Sequence, residues 1–317
     1  MPAVLLDGRA LARRIRARVG EECTELARRE ALEPGLAVVL VGVDPASQVY
    51  VGKKEEAARE AGMNSRVVRL DSGASQDEVL AAVGELGDDP SIHGLLVQLP
   101  LPRHLDVSEV QHAVPPSKDV DGLHPENAGR LLLGRDDALV PCTPRGVMAL
   151  VDETGIDPSG KKAVVVGRSA IVGKPAALLL LQRNATVTVC HSRTSDLERV
   201  CREADILVAA VGAPGFISEA HVGNGATVID VGINSIRDEE LAARLLSTQP
   251  KRLERFRRKG SALVGDVDFG AAVSKARYVT PVPGGVGPLT VAMLLDNTLI
   301  AARRALGLSQ PVGKGAA

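Results

Sequence analysis

The chain reads as an α/β protein built of two α/β domains, the second a Rossmann-type parallel sheet, with a C-terminal helix returning to the first domain. Three observations lead there. Apolar runs of strand length at 36–43, 67–70, 94–99, 163–166, 186–189, 206–209 and 227–231 alternate with segments of helical period. That alternation is the βαβ pattern of parallel sheets covered on both faces. Helix-start signals fall between the runs: Asp7 precedes a helix whose apolar face carries Leu11, Ile15 and Val19, while Ser75 with Glu78 and Ser195 with Glu198 fit the capping box. Finally, the Pro115-Pro116-Ser117 break and the loop from Lys118 to Gly134 close a first block, and Pro141 to Thr143 open a helix into a second whose sheet starts at Lys161. Residues 1–140 are therefore assigned to a first domain and 141–285 to a second. The helix 286–306 is apolar on most faces, so it must be buried, and it is assigned to complete the first domain. Residues 307–317, made largely of Gly, Ser, Pro and Lys, are expected to be a flexible tail.

Composition narrows the function. With 317 residues, 45% apolar and 24% charged, this is the balance of a globular protein. A net charge of -1 provides no long-range field for nucleic acid or an anionic membrane, so an anionic ligand must be held by local groups. Aromatic residues make up 2% and Trp is absent, which removes the stacking platforms used for single-stranded nucleic acid. The four cysteines, Cys23, Cys142, Cys190 and Cys201, form no C-x-x-C pair, which argues against a disulfide framework or zinc site and suits a reducing compartment. The opening Met-Pro-Ala-Val-Leu-Leu-Asp is too short an apolar run for a signal peptide, and no 18-residue apolar stretch follows. A cytoplasmic enzyme acting on a small molecule, with no metal, is the expectation.

In chain order, the first chemistry-bearing segment is a helix starting near Ser47, on which Tyr50 and Lys54 share one face at i, i+4. Lys53 is expected to point elsewhere. The plain alternative is an exposed lysine one turn from a half-buried tyrosine. Next, the apolar strand Leu95-Leu96-Val97 ends in Gln98-Leu99, a lone amide at the sheet edge where α/β proteins bind ligands. Gln98 is either satisfied by loop backbone or aimed into that crevice. Lys118-Asp119-Val120-Asp121-Gly122 places two carboxylates in one loop: a capped turn or a metal is open, and a substrate-binding carboxylate is more economical.

The second block opens with Ala-Val-Val-Val-Gly-Arg-Ser-Ala-Ile-Val-Gly-Lys-Pro at 163–175, a buried strand, a glycine turn and a helix beginning near Gly173 with Pro175 in its first turn. Such a corner cradles a pyrophosphate on backbone N–H groups and the helix N-terminus, although G-x-S-x-x-x-G departs from the usual G-x-G-x-x-G. The following strand ends in Cys190-His191-Ser192-Arg193-Thr194, where NAD enzymes carry an acid for the ribose hydroxyls. Hydroxyls and a cation there, with Arg168 in the turn, favour a 2′-phosphate and hence NADP. Both arginines could instead be solvated loop cations. Residues 278–291, Tyr-Val-Thr-Pro-Val-Pro-Gly-Gly-Val-Gly-Pro-Leu-Thr-Val, make a rigid backbone surface suited to lie against a ligand, or a tight turn entering a helix with Pro288 near N1.

The ordered set Y-x-x-x-K, VQLPLP, KDVDG, PCTP, VVVGRSAIVGKP, CHSRT, VIDVGIN, GDVDF and TPVPGGVGPLTVAMLL resembles the bifunctional methylenetetrahydrofolate dehydrogenase/cyclohydrolase family from about residue 35 to 300. The resemblance implies oxidation of 5,10-methylenetetrahydrofolate with NADP, then hydrolysis of the methenyl product to 10-formyltetrahydrofolate. It also implies a homodimer with folate in the cleft between domains. Carried over, Lys54 is the catalytic lysine, Tyr50 orients and stacks beside the folate, Gln98 tunes Lys54, and Asp121 holds the amino-pyrimidine edge. Val97 and Leu99 join these in binding substrate, and Pro283, Gly284, Gly285, Val286 and Gly287 line it. Gly167, Arg168, Ser169, Ser192, Ile233 and Thr290 contact NADP, and Arg193 is added from its position. No linked formyltetrahydrofolate synthetase domain is expected, since the chain ends soon after the final helix. Where the family has a short hairpin, 235–262 is an insertion with helical pattern at 239–246 and six Lys or Arg among the nine residues 251–259. A solvated surface helix is expected there, with an acidic partner or nucleic acid as the alternative. An NADP-dependent hydroxy-acid or shikimate-type dehydrogenase would share the two-domain plan without needing KDVDG and PVPGGVGP together. A nucleotide-binding regulator without turnover would have no use for Lys54.

Overall fold

A computed structural model describes residues 3–308, which fall into two compact units: 12–142 with 291 onward, and the first eleven residues with 143–290. The chain begins with β1 (Val4–Leu5) and α1 (Gly8–Glu30), whose first turn is capped by Asp7 accepting from the N–H groups of Arg9 and Ala10. It continues through β2 (Gly35–Val41), α2 (Pro45–Glu60), β3 (Asn64–Leu70), α3 (Gln76–Asp88), β4 (Gly94–Val97), α4 (Val107–Ala113) and α5 (Pro125–Leu132). Then come α6 (Cys142–Glu153), β5 (Lys162–Val166), α7 (Gly173–Gln182), β6 (Thr186–Cys190), α8 (Leu197–Arg202), β7 (Ile206–Ala209) and β8 (Thr227–Asp230). The last elements are β9 (Asn234–Ile236), α9 (Glu239–Leu245), α10 (Pro250–Lys259), β10 (Ala262–Val264), α11 (Phe269–Lys275), β11 (Tyr278–Val279) and α12 (Gly287–Ala305).

The unit of residues 12–142 holds a parallel sheet in the order β3-β2-β4. The central β2, Gly-Leu-Ala-Val-Val-Leu-Val, is buried along its whole length, which is why it reads as an unbroken apolar run. One of its faces packs through Val39 against Val79, Val83 and Leu86 of α3 and Leu95 of β4. Ser75 closes the predicted capping box with Glu78 at the start of α3. In α12, Leu294, Leu295, Leu299 and Ala302 are buried. The amide of Asn297 donates to the carbonyls of Val120 at 2.7 Å and Val140 at 3.0 Å, so the helix's polar residue serves to pin loops.

The other unit is a six-stranded, wholly parallel sheet ordered β1-β11-β8-β7-β5-β6. One core cluster joins Val164 and Val166 to Leu207, Val228 and Val279 beneath α8 and α11. The insertion is more than a solvated helix: β9 and β10 pair antiparallel, and α9 and α10 close a small core of Ile236, Leu245, Leu246, Phe256 and Val264 above them. Lys251, Arg255, Arg257, Arg258 and Lys259 of α10 are exposed, whereas Arg252 is half-buried and donates to Gln249 Oε1 and the Leu263 carbonyl, and Phe256 is buried.

Three expectations are corrected. The first eleven residues were assigned to the first domain, yet β1 pairs with Tyr278–Val279 as the edge of the six-stranded sheet, and two residues are too few to show a period in sequence. Likewise residues 286–290, read as part of the returning helix, group with the second unit, and only 291 onward joins 12–142. The box at Ser195 does not form: α8 starts one residue later, behind Asp196 in the left-handed region at φ 51° with no side-chain cap. Of the tail assigned to 307–317, residues 309–317 lie outside the described residues. All four cysteines are free and buried, and burial pushes the thiols of Cys23 and Cys201 up to about 12. No helix among the described residues is long and apolar enough to cross a membrane.

Candidate active site

Asp44 caps α2 by accepting from the Ser47 N–H at 2.8 Å, and Pro45 fills the first helical position, so the helix starts where Tyr50 and Lys54 fall one turn apart. Lys54 is 8% exposed, whereas Tyr50 is 45% exposed, so a buried lysine lies one turn from an accessible ring. The Lys54 Nζ donates to Gln98 Oε1 at 2.9 Å, and Gln98 Nε2 donates to the Leu99 carbonyl at 2.6 Å. The bond to the Leu99 carbonyl is the reading in which loop backbone satisfies Gln98, and it fixes which amide atom faces the lysine. Gln98 N–H in turn donates to the Val39 carbonyl, carrying the β2–β4 ladder one residue past buried Val97. Among the described residues no carboxylate pairs with Lys54. Lys53 does not point away from Tyr50 as expected: its ammonium lies 5.9 Å from the ring centroid, the consequence of an i, i+3 spacing.

The two carboxylates of Lys118–Gly122 divide their work. Asp119, 4% exposed, accepts from the N–H groups of Leu123 and His124 and from Asn127 Nδ2 at 2.9 Å, which is the capped-turn reading. Burial pushes its carboxyl above the ordinary range; the three donors oppose that, and the charge of Asp121 adds to it. Asp121 is half-buried and its carboxylate accepts no hydrogen bond among the described residues. It is thus available to a ligand. Gly122 sits at φ +72°, and a Cβ there would collide with Pro141. Ser47, absent from the residues predicted to form the site, is 3% exposed on the Lys54 side of α2. Among the described residues no group of three His, Cys, Asp or Glu could hold a metal.

In the second unit the glycine turn opens onto a cavity of about 640 Å³, within the ~300–1,000 Å³ of small-molecule sites. Gly167, Arg168, Ser169 and Ser192 line it, together with His191 and Thr194. A Cβ on Gly173 would collide with the Gly167 carbonyl, so the start of α7 can approach β5 closely only as glycine. The Ser169 hydroxyl accepts from the N–H groups of Val172 at 3.2 Å and Gly173 at 3.3 Å. The N–H groups of Arg168, Ser169, Ala170 and Ile171 have no acceptor among the described residues. Four unengaged donors beside a helix N-terminus, with the Arg168 guanidinium alongside, fit a dinucleotide phosphate. Arg193 lies outside the lining: Thr194 N–H donates to the His191 carbonyl and His191 N–H to Thr194 Oγ1, a closed turn that brings positions 192 and 194 to the cavity. Ile233 and Thr290 are also outside it, Thr290 sharing a hydroxyl contact of 3.2 Å with Thr143.

The 281–287 segment is in this same unit. Gly284 has φ +118°, a Cβ on Gly285 would lie 2.7 Å from Thr280 Cβ, and a Cβ on Gly8 would collide with the Gly285 carbonyl. These glycines therefore let the turn pack against the start of α1. Pro283 is exposed, while Val286 is 3% exposed.

Sequence reasoning missed the opposite wall of the cavity, formed by Ala210, Val211, Ala213 and Phe216, and the two buried carboxylates behind it, Asp230 and Asp266. Burial pushes Asp230 up to about 7 against the pull of the N–H groups of Val267, Asp266 and Gly232. A usable signal existed in an apolar strand, Thr-Val-Ile, closing on an aspartate.

Residues 6–121 match the model of the tetrahydrofolate dehydrogenase/cyclohydrolase catalytic domain, and residues 141–306 that of the tetrahydrofolate dehydrogenase/cyclohydrolase NAD(P)-binding domain. The chain is 53% identical over 304 residues to the bifunctional protein FolD of Moorella thermoacetica, an alignment covering 96% of this chain and 100% of that protein. Its structure is similar to the bifunctional FolD dehydrogenase/cyclohydrolase of Campylobacter jejuni, with a TM-score of 0.85, 43% identity, and coverage of 95% and 99%. It is also similar to the methylenetetrahydrofolate dehydrogenase-cyclohydrolase of Trypanosoma brucei, solved with NADP and an inhibitor, at a TM-score of 0.86, 40% identity, and coverage of 96% and 99%.

Proposed function

Because the chain belongs to the tetrahydrofolate dehydrogenase/cyclohydrolase family, we propose that Lys54, held by Gln98, is the proton-handling group of its hydrolytic step and that Asp121 binds the pterin. The protein is an NADP-dependent methylenetetrahydrofolate dehydrogenase and a methenyltetrahydrofolate cyclohydrolase. In 5,10-methylenetetrahydrofolate the one-carbon bridge lies between two nitrogens whose lone pairs assist departure of hydride and delocalise the resulting cation. That step needs alignment and no general base. Bound NADP supplies the hydride acceptor. Gly167, Arg168, Ser169 and Ser192 hold it, the exposed N–H groups taking phosphate and the guanidinium a 2′-phosphate.

Hydration of the methenyl carbon is different, since water must lose a proton while a C–N bond breaks. The observation carrying the reading is the 2.9 Å contact between Lys54 Nζ and Gln98 Oε1. An amide oxygen can accept from either an amine or an ammonium, so Nζ can take up and return a proton without breaking an ion pair. Tyr50 offers an exposed ring one turn away against which a flat pterin can stack. Val97 and Leu99 flank Gln98, and Pro283 to Gly287 are proposed to line the folate through their backbone. Ile233, Thr290 and Arg193 remain proposed cofactor contacts.

The decisive measurement follows methenyltetrahydrofolate absorbance without NADP. Lys54→Met should slow hydrolysis at least ~100-fold, the low end of what proton transfer by a side chain supplies. Hydrolysis at the wild-type rate would remove Lys54 from the mechanism. The same reading has a homodimer working in the cytoplasm to supply one-carbon units for purine synthesis. Four reduced, buried thiols support the compartment, and family membership supports the dimer, which sedimentation would test.

A further inference from the structure

Asp266 is wholly buried, at 0% exposure, and no cation neutralises it among the described residues. Its charge is met by four donors. Oδ2 accepts from the N–H groups of Val211 at 2.6 Å and Gly212 at 2.9 Å; Oδ1 accepts from the Ala213 N–H at 3.0 Å and Asn234 Nδ2 at 2.8 Å. Three successive backbone donors converging on one carboxylate fix the peptide planes of the loop after β7, and the glycine among them sits at φ +75°. Because N–H and C=O point oppositely across a trans peptide, the carbonyls of Ala210, Val211 and Gly212 face away from Asp266. Ala210, Val211 and Ala213 are cavity wall.

Asp266 is itself held. Asp230, at the end of β8, accepts from the N–H groups of Gly232, Asp266 and Val267 at 2.9, 2.9 and 3.0 Å. Two glycines make room for this pair: a Cβ on Gly232 would collide with the Asp266 carboxylate, and a Cβ on Gly265 with that of Asp230. The two aspartates thus form a relay of backbone-directed bonds from β8 to the loop at the cavity.

We propose that Asp266 is a positioning residue for NADP, its carboxylate locking residues 211–213 in the conformation that receives the cofactor, with Asp230 holding Asp266 in turn. This rests on the assignment of the cavity to NADP. Asp266→Asn replaces one doubly accepting oxygen by a donor, turning two hydrogen bonds into opposed N–H groups. Titration calorimetry should show the NADP dissociation constant rising at least tenfold over wild type. The ratio of dehydrogenase turnover at fixed, subsaturating NADP to NADP-free methenyl hydrolysis should fall at least tenfold as well. A dissociation constant within twofold of wild type, or both activities lost in proportion, would overturn the proposal. Failure of wild-type enzyme to bind NADP would instead sink the cavity assignment. Should the variant not fold, amide hydrogen exchange on cofactor-free wild type decides: the N–H groups of Val211, Gly212 and Ala213 must be protected, and exchange at solvent rates refutes the lock.

Discussion

At the scale of single residues, the two aspartates of the Lys118–Gly122 loop differ only in where their oxygens end up. Asp119 is consumed by three donors and Asp121 by none, so replacing them separates fold from binding. Asp121→Ala should raise the folate KM about tenfold or more, the loss of a charge-assisted pair worth ~1.5–3 kcal/mol, with the NADP KM little changed. Steady-state kinetics varying each substrate checks this; the opposite order would displace Asp121 from the pterin. His93, 6% exposed, accepts the Gly35 N–H at Nδ1 over 3.0 Å, and burial, helped by the charge of Lys118, lowers its pKa below the ordinary 6.5. The unfolded chain therefore binds this proton first, so the stability contributed is full above about pH 6.5 and is lost as pH falls below it. Urea unfolding from pH 7.5 to 5 should show a steeper decline for wild type than for His93→Gln, and parallel curves would exclude His93 as the cause.

Among elements, legibility in the sequence followed length and period. Strands such as β2 and β7 stand out because a central parallel strand is apolar without interruption, while α2 starts at Pro45 behind Asp44, two residues before the start near Ser47 that its pattern suggests. β1 was invisible, since two residues carry no pattern and its partner β11 lies more than 270 positions away. Gln98 and Lys54 could each be picked out, but that they meet depends on β4 lying beside β2, which no local signal encodes. Asp230 and Asp266 carry no local signal of their role, because all their donors but Asn234 Nδ2 are backbone N–H groups that carry no residue identity. The insertion's basic run drew notice to charge, whereas its anchor is the one aromatic within it. Phe256→Ala should cost roughly 3–5 kcal/mol locally, as for other buried Phe truncations, seen as faster amide exchange across 239–264. Leu245, against which a Cβ on Gly215 would clash, links that small core to the segment carrying Phe216 of the cavity wall, so dehydrogenase activity should fall with it.

For the whole molecule, each unit has its own sheet and core, and the cavity at the glycine turn lies in the unit of 143–290. A ligand that binds the native state alone stabilises it by mass action, about 2.7 kcal/mol at one hundred times its dissociation constant. Denaturant unfolding with and without NADP should show that increment in the transition reporting on 143–290, and its absence would mean that the cofactor does not recognise the folded unit. With 38 basic and 39 acidic residues the molecule has almost no net charge, so an anionic cofactor must be held by local groups and not by a general field, and Arg168 with the unengaged amides of its turn are the groups proposed for it. The sequencing of all four cysteines into the interior has a practical corollary. Maleimides attack thiolates, and burial pushes the thiols of Cys23 and Cys201 up to about 12 and that of Cys190 above its ordinary range, so these supply few thiolates at neutral pH. A cysteine placed on the exterior of either unit would be the fast-reacting site there, so a single dye could be attached without first stripping out the native sulfur.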